Sequence, residues 1–280
     1  MIIDVRVRPP YKGYLDTIMF RDTERTAGIS KRLGATQPQS VSRHSMDLMF
    51  QEMDQAGITK AVIPGRRANP VFGNVPNEDI DVLLEAYPHR FVGLAAIDPT
   101  VDTAIDEIKQ WVIEGRFKGI VMEPGVLTEP MHLDDERIYP IYEFCQQNNI
   151  LVGLMTGAGA GPDVTYTMPE HMDRVAKDFP KTQFISYHAG YPWVNEALHC
   201  AMRRGNIYLS PDMYMVRTPG FREYVAAADH FLSDRFLFGT AYPFVSFEEG
   251  LSFFRSCGIR EEVMDDLLYG NAAKLFGIEC

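Results

Sequence analysis

The sequence predicts a single closed α/β barrel of eight parallel strands, and three observations support this prediction. Short apolar runs rich in β-branched residues recur eight times along the 280 residues, which is typical of buried parallel strands. Helical patterns lie between most of these runs, and such alternation indicates a parallel sheet. An open doubly wound sheet usually has about five or six strands, so eight favour a barrel. We therefore expect one (β/α)8 TIM-barrel domain over residues 1–280.

The predicted strands are short, and turn residues commonly follow them. They are MIIDVRV at 1–7, KAVIP at 60–64, FVGLAAID at 91–98, KGIVMEP at 118–124, ILVGLMTG at 150–157, TQFISYHAG at 182–190, GNIYLSPD at 205–212 and RFLFGTAYP at 235–243. The chain has no internal repeat beyond the strand–helix unit and no low-complexity linker, so we expect no second domain.

Six helical segments are predicted between the strands. They cover 46–57, 102–115, 138–149, 169–179, 193–205 and 247–257. Gly57 is predicted to end the first of them, because glycine readily adopts the left-handed conformation that follows a helix. The connection after the first strand, residues 9–43, is much longer than usual for a compact domain. We expect an insertion or a lid there.

Composition and charge exclude several classes of protein. Hydrophobic residues make up 46% of the chain and charged residues 23%, but no run approaches the roughly 20 apolar residues of a membrane-spanning helix. The net charge of −11 disfavours nucleic acid and anionic membranes as partners. The four cysteines lack CxxC spacing, and the N-terminus lacks the pattern of a signal peptide. We therefore expect a cytoplasmic protein.

Polar residues at the predicted strand ends form the candidate site, because TIM-barrel chemistry takes place at the carboxyl-terminal ends of the strands. Arg6 and Arg8 lie two apart on the first strand and therefore share a face. The candidate residues are Arg6, Arg8, Arg66, Arg67, Asn69, Asp98, Glu123, Thr156, His188, Asp212, Thr240 and Tyr242.

The chain resembles the amidohydrolase-related branch of the amidohydrolase superfamily, which includes aminocarboxymuconate semialdehyde decarboxylase and related aromatic acid decarboxylases. The resemblance runs nearly end to end. It is carried by IDVRV at 3–7, MDQAGITKAVI at 53–63, AYPHRFVGLAAIDP at 86–99, FKGIVMEP at 117–124, IYEFCQQNNILVGLMTG at 141–157, HAGYPWVNEA at 188–197, DRFLFGTAYPF at 234–244 and YGNAAKLFGI at 269–278. It implies a metal-dependent-hydrolase-like barrel, a small anionic or carbonyl substrate and, often, a homo-oligomer.

The chain departs from this resemblance at the metal ligands. Typical members bind one divalent metal through HxH on strand 1, a histidine in an HTG phrase after strand 5 and an aspartate in a GSDYP-like phrase on strand 8. Here Arg6 and Arg8 replace HxH, Met155 replaces the histidine and Ala241 replaces the aspartate. Guanidinium groups cannot ligate a dication and would repel it. We therefore expect no metal and no other cofactor.

A different metal site, formed by Glu123, His188 and Asp212, is conceivable, but the adjacent arginine charges disfavour it. The two arginines instead keep positive charge where the metal would polarise a substrate oxygen. Their burial requires nearby carboxylates, and Glu123 and Asp212 are the internal candidates.

We assign catalytic roles to His188, Arg6, Arg8 and Glu123. The arginines are expected to clamp a carboxylate or an oxyanion, and His188 to transfer protons. Glu123 is either a general base or the counter-ion of the arginines, and arginine pairing would make it a weak base. Alternatively, these charges form only a structural salt-bridge network at the barrel mouth.

Six further residues are predicted to bind substrate. Arg66 or its neighbour Arg67 would add an anion contact, and because adjacent residues point apart only one of them would do so. Tyr187 and Tyr242 are candidates to donate to an oxyanion. The set is Arg66, Asn69, Thr156, Tyr187, Asp212 and Tyr242.

Two functions follow from these expectations. The first is a metal-independent amidohydrolase-type enzyme that hydrolyses an ester, lactone or amide, or decarboxylates its substrate. The second is a non-catalytic protein that binds an anionic metabolite as a sensor or partner subunit, since loss of the metal ligands also accompanies loss of catalysis. Testing whether a bound carboxylate is chemically changed distinguishes the two.

Overall fold

The core of the protein is a curved sheet of parallel strands in sequential order. The computed structural model describes residues 1–157 and 159–278. Its strands are β1 (Ile3–Asp4), β2 (Lys60–Pro64), β3 (Phe91–Ala96), β4 (Gly119–Met122), β5 (Leu151–Met155), β6 (Phe184–Tyr187) and β7 (Ile207–Ser210). Each strand pairs in parallel with the next one along the chain.

The predicted eighth strand, 235–243, closes the barrel without forming a regular strand. Phe236 makes a parallel bridge with Leu209 of β7, and Tyr242 makes one with Val7 after β1. The segment therefore joins the last strand to the first, and the predicted TIM barrel is confirmed. Ala241 has a φ of 53°, which an extended strand does not accommodate.

Helices surround the barrel and include all six predicted segments. They are α1 (Ile18–Arg21), α2 (Thr23–Arg32), α3 (Gln39–Ser42), α4 (Met46–Ala56), α5 (Asn77–Ala86), α6 (Ala104–Ile108), α7 (Tyr139–Gln147), α8 (Pro169–Asp178), α9 (Val194–Arg203), α10 (Phe221–Asp229), α11 (Phe247–Ser256), α12 (Glu261–Asp265) and α13 (Asn271–Phe276). Gly57 follows α4 in the left-handed conformation, with a φ of 75°. Across 1–157 and 159–278, no helix combines the length and apolarity that a membrane crossing requires.

Two large buried layers and a smaller third cluster stabilise the fold. One lies between the strands and the helices and includes Met49 and Met53 of α4. The other joins residues of successive strands to α13, for example Val92 and Leu151 to Phe276. Because these strand residues lie near the beginnings of β3 and β5, α13 packs at the amino-terminal end. The carboxyl-terminal end is left for the site.

The predicted insertion after the first strand is present and is held against the barrel. It contains the short 3-10 helix Lys12–Asp16 as well as α1, α2 and α3. Arg21 Nη2 donates to the carbonyl of Val71 (2.8 Å), and the backbone N–H of Thr36 donates to Glu249 Oε2 (2.9 Å). These contacts fix both ends of α2.

Candidate active site

The predicted strand-end charges gather at the carboxyl-terminal end of the barrel. Arg6 and Arg8 follow β1 and are only 1% and 5% exposed. His188 follows β6 with a φ of 63°, and Asp212 follows β7 with a φ of 46°. Positive φ is costly for residues other than glycine, and it clusters at functional sites. The turns that hold these side chains are therefore consistent with a site under functional constraint.

Arg6 lies at the centre of the charge cluster. Its Nη2 is 3.7 Å from Glu123 Oε1, and its Nε is 3.8 Å from Asp212 Oδ2. The same Nη2 lies 3.3 Å from Met155 Sδ, and the guanidinium lies over the Tyr187 ring at 4.4 Å. Arg6 therefore has two carboxylate partners and an aromatic support.

Glu123 is a counter-ion for several arginines. Its Oε2 lies 3.0 Å from Arg66 Nη2. Burial raises the pKa of Glu123, but the charges of Arg66, Arg6 and Arg8 outweigh burial and lower it below its ordinary value. A carboxylate with a lowered pKa is a poor proton acceptor near neutrality. The geometry thus favours the counter-ion role over the general-base role.

Arg8 has no comparable partner. Among the described residues no carboxylate lies within ion-pair distance of Arg8, and its buried Nη1 has no hydrogen-bond partner. Burial, reinforced by the charge of Arg6, lowers the pKa of Arg8 to about 9, so it remains charged near neutrality. Three arginines, Arg6, Arg8 and Arg66, face two carboxylates, Glu123 and Asp212. The site therefore has a surplus of positive charge.

His188 and Asp212 form a hydrogen-bonded pair. His188 Nδ1 lies 2.7 Å from Asp212 Oδ1, which also accepts from the backbone N–H of Met213 (2.6 Å). Burial lowers the pKa of His188 despite the opposing charge of Asp212, so the imidazole is neutral at pH 7. A carboxylate only accepts, so Nδ1 carries the proton and Nε2 keeps a lone pair. This pair can therefore act as a general base.

Several buried polar atoms of the cluster have no hydrogen-bond partner in the part of the chain that the structure describes. They are Arg6 Nε and Nη1, Arg8 Nη1, Arg66 Nε, Glu123 Oε2 and Asp212 Oδ2. The ion pair between Glu123 and Arg66 is short, but its angles do not suit a hydrogen bond. Buried polar groups are normally satisfied, so this concentration indicates a place for a polar ligand or water.

A cavity of about 590 Å³ opens above the cluster. Its polar floor includes Arg8, Arg66 and His188. The volume lies within the range of small-molecule sites, roughly 300–1,000 Å³. The unpaired guanidinium and the histidine base thus face one space of the size of a small substrate.

Aromatic side chains and the insertion wall this cavity. Tyr191 and Tyr214 stack in parallel with ring centroids 4.2 Å apart, and Tyr214 meets the His188 ring edge-on at 5.0 Å. Residues of α2 form another part of the wall, and they include the exposed Arg25 and Arg32. The middle of the cavity is therefore apolar, and its rim is positively charged.

Other predicted substrate-binding residues support the site from outside the cavity. The Thr156 hydroxyl bonds Ser186 Oγ (2.7 Å) and the carbonyl of Tyr187 (2.8 Å). The Tyr187 hydroxyl donates to the carbonyl of Val5 (3.2 Å). These contacts tie β5, β6 and the segment after β1 together, so they position the backbone from which Arg6 and His188 extend.

The structure places Tyr242 and Asn69 away from the cavity lining. The Tyr242 hydroxyl bonds Ser40 and also lies 3.4 Å from Glu52 Oε2, because the ring points outward between the barrel and the insertion. Asn69 Oδ1 accepts from the backbone N–H of Val71 (3.0 Å). Both side chains thus organise local structure.

Sequence reasoning missed several residues that line the cavity, including two arginines and two tyrosines. Arg25 and Arg32 lie on a helix of the insertion. Tyr191 lies in the loop after β6, and Tyr214 lies in a short 3-10 helix after β7. A signal existed for the arginines: they are seven residues apart, which places them on one face of a helix.

The donor set does not fit the divalent metal that the resemblance implies. Arg6, Arg8, Met155 and Ala241 stand at the four positions to which the resemblance assigns the ligands. Within 1–157 and 159–278, no group of three or more His, Cys, Asp or Glu side chains could hold a metal ion. Two buried guanidinium groups repel a dication, so no catalytic step is assigned to a metal.

Comparisons with known proteins agree with this fold. The amidohydrolase family model matches residues 3–278. Among solved structures, an uncharacterized TIM-barrel protein, Bb4693 from Bordetella bronchiseptica, is 41% identical with a TM-score of 0.95, covering 99% of this chain and 98% of that one. The decarboxylase LigW from Sphingomonas paucimobilis, which acts on 5-carboxyvanillate, is 17% identical with a TM-score of 0.69, covering 99% of both. 4-Oxalomesaconate hydratase LigJ from Rhodopseudomonas palustris is 19% identical with a TM-score of 0.66, covering 99% and 96%. A search of curated protein sequences gave no match.

The resemblance predicted from the sequence is confirmed by these matches. The likeness to the decarboxylase and the hydratase, both under 20% identical, concerns the fold. The prediction of an amidohydrolase-type enzyme is confirmed at the level of the family. By its sequence over residues 3–278 and by its barrel, the chain belongs to the amidohydrolase family.

Proposed function

We propose that the protein is a metal-independent hydrolase of a small ester or lactone that carries a carboxylate. One observation carries the proposal: a neutral His188, oriented by Asp212 at 2.7 Å, faces the same cavity as the unpaired Arg8. A base and a fixed positive charge are the two groups that ester hydrolysis needs when no metal is bound.

The proposed reaction begins with a water molecule that gives its proton to His188 Nε2 and attacks the substrate carbonyl carbon. Negative charge develops on the carbonyl oxygen, and the Arg8 guanidinium stabilises it. The ester C–O bond then breaks, and the proton on His188 passes to the leaving oxygen. Asp212 stabilises the transient imidazolium. The net change is addition of one water, which gives an alcohol and a carboxylic acid that ionises near neutrality.

Arg6 has a supporting role in this proposal. Its ion pairs with Glu123 and Asp212 hold those carboxylates in place, so that the surplus charge resides on Arg8. Arg66, which shares Glu123 with Arg6, adds a contact for the substrate carboxylate. In this proposal the clamp consists of Arg8 and Arg66 at the cavity floor and differs from the predicted clamp of Arg6 and Arg8.

Hydrolysis fits this charge arrangement better than decarboxylation. Hydrolysis creates negative charge on an oxygen, next to which a guanidinium is favourable. Decarboxylation removes a carboxylate, and an arginine that pairs with this group stabilises the ground state instead. Decarboxylation remains the second candidate, because LigW, a decarboxylase by name, shares the fold.

The test is an assay of carboxylated lactones, aryl esters and hydroxybenzoic acids with the wild type and two variants. Arg8→Met should lower kcat/KM for the hydrolysed compound on the order of 10²- to 10³-fold, and His188→Asn on the order of 10²- to 10⁴-fold. His199→Asn, at an exposed histidine of α9, is the matched control. Recovery of every tightly bound compound unchanged would establish the non-catalytic binding protein instead.

A homo-oligomer and a cytoplasmic location form part of the proposal. The cysteine spacing in the sequence and the usual assembly of related proteins support them. Light scattering on the purified protein tests the oligomeric state directly.

A further inference from the structure

The side of α2 that borders the cavity carries two exposed arginines that the proposed reaction does not use. Arg25 and Arg32 line the cavity together with Ile29, which lies between them on the same face. Among the described residues, neither arginine has an ion-pair partner. Lys31, on the same helix, is exposed and does not line the cavity.

Acidic groups of the insertion do not neutralise this pair. Asp22 caps α2 by accepting from the backbone N–H of Arg25 (2.9 Å), and Glu24 is exposed and outside the cavity lining. No Asp or Glu side chain lines the cavity within the part of the chain that the structure describes. The cavity therefore has positive charge at the rim as well as at the floor.

The two charged regions are separated by an apolar wall. Phe72, Tyr191, Tyr214 and Phe244 contribute aromatic surface, and Ile29 contributes aliphatic surface. An apolar wall between two sets of arginines is complementary to a molecule with an apolar body and an anionic group at each end.

Contacts of the insertion hold the backbone of α2 in place. The backbone N–H of Ile18 donates to the carbonyl of Phe72 (3.0 Å), and Arg21 and Thr36 anchor the segments on either side of α2. A helix fixed at both ends presents its arginines with a smaller loss of conformational entropy on binding than a free loop.

We infer that Arg25 and Arg32 form a second anion-binding subsite, so that the substrate class is a dianion with an apolar, unsaturated body. This inference rests on the proposed function for the floor of the cavity, where the first anionic group contacts Arg66 and the scissile carbonyl lies at Arg8. The rim arginines are specificity-determining residues, which bind the distal group and take no part in bond breaking.

The test measures binding of stable aromatic acids by calorimetry at low salt. The probes are benzoate, terephthalate, 2-naphthoate and naphthalene-2,6-dicarboxylate, so that each dicarboxylate has a monocarboxylate partner of the same body. In the wild type, at least one dicarboxylate should bind about tenfold more tightly than its partner, which corresponds to about 1.4 kcal/mol. The double variant R25A/R32A should lose that advantage while its affinity for the monocarboxylates changes less than about twofold.

Lys31→Ala removes one positive charge from the solvent-facing side of the same helix and should keep the advantage. An advantage that persists in R25A/R32A, an equal loss in Lys31→Ala, or no binding of any dicarboxylate at millimolar concentration overturns the inference. Because these probes contain no hydrolysable bond, the result is independent of turnover. Failure of the lactone and ester assay would refute the proposed reaction and leave the subsite standing.

Discussion

Replacing Arg8 with methionine should make the ligand-free protein more stable and less able to bind anions. Arg8 is 5% exposed, lacks a carboxylate partner among the described residues, and has its pKa lowered to about 9 by burial and by Arg6. The fold thus disfavours the charged form of this side chain. Arg8→Met removes the charge and keeps a side chain of similar reach, so the unfavourable burial is relieved.

The magnitude follows from the lowered pKa. Each pH unit between the ordinary pKa of arginine and about 9 corresponds to about 1.4 kcal/mol, which sets an upper limit of about 5 kcal/mol. Lost contacts of the guanidinium reduce this gain, so we expect the free energy of unfolding to rise by about 1–3 kcal/mol. Arg6→Met should have the opposite effect. Arg6 is paired with Glu123 and Asp212, and breaking a buried pair typically costs about 3–5 kcal/mol.

The assay is urea unfolding at pH 7 in a buffer without carboxylate or phosphate, for the wild type and both variants. The difference in free energy of unfolding between the wild type and Arg8→Met also depends on pH. Above pH 9 the native wild type begins to lose the Arg8 proton that the unfolded chain keeps. Its free energy of unfolding therefore rises with pH, and the difference from Arg8→Met becomes smaller. If Arg8→Met destabilises the protein as much as Arg6→Met, the surplus-charge argument is wrong, and the arginines form a purely structural network.

Three further outcomes are expected. Burial raises the pKa of Asp4 to about 7, so the native state binds more protons than the unfolded chain between about pH 4 and pH 7, and stability falls as pH rises through that window. The loss should reach at most about 4 kcal/mol. The measurement is the free energy of unfolding in urea at several pH values for the wild type and Asp4→Asn. Equal pH dependence of the two proteins would contradict this expectation. Because the pKa of His188 is lowered, kcat/KM should stay constant as the pH is reduced from 7 and should fall only below the ordinary histidine range. A pH profile of kcat/KM tests this. A decline already between pH 7 and 6.5 would argue against His188 as the base. Elemental analysis of protein purified without chelator should find no stoichiometric zinc, manganese or iron, and EDTA should leave turnover unchanged; one metal per chain would refute the arginine mechanism.

The strand ends were the most predictable part of the site. Alternation of side chains placed Arg6 and Arg8 on one face, and the barrel architecture brought Glu123, His188 and Asp212 to the same end. These residues were predictable because the strand register fixes where each side chain points.

Residues outside the strands were less predictable. Tyr242 follows the same alternation, but the left-handed turn at Ala241 redirects it toward Ser40. Which residues of α2 line the cavity depends on how the insertion folds back over the barrel. No local pattern in 9–43 specifies the path of the insertion. Helix α5 was missed because its sequence, NEDIDVLLEA, follows a polar loop without a recognisable side-chain cap.

The unpaired charge at the barrel mouth links the supply of ligand to the lifetime of the protein. An anion that pairs with Arg8 binds the native chain and not the unfolded one, and a ligand at 100 times its Kd adds about 2.7 kcal/mol to the free energy of unfolding. A chain deprived of its ligand spends more time in open states that proteases cleave. Cells should therefore accumulate this protein when its substrate is abundant and degrade it faster when the substrate is exhausted, without any separate regulator.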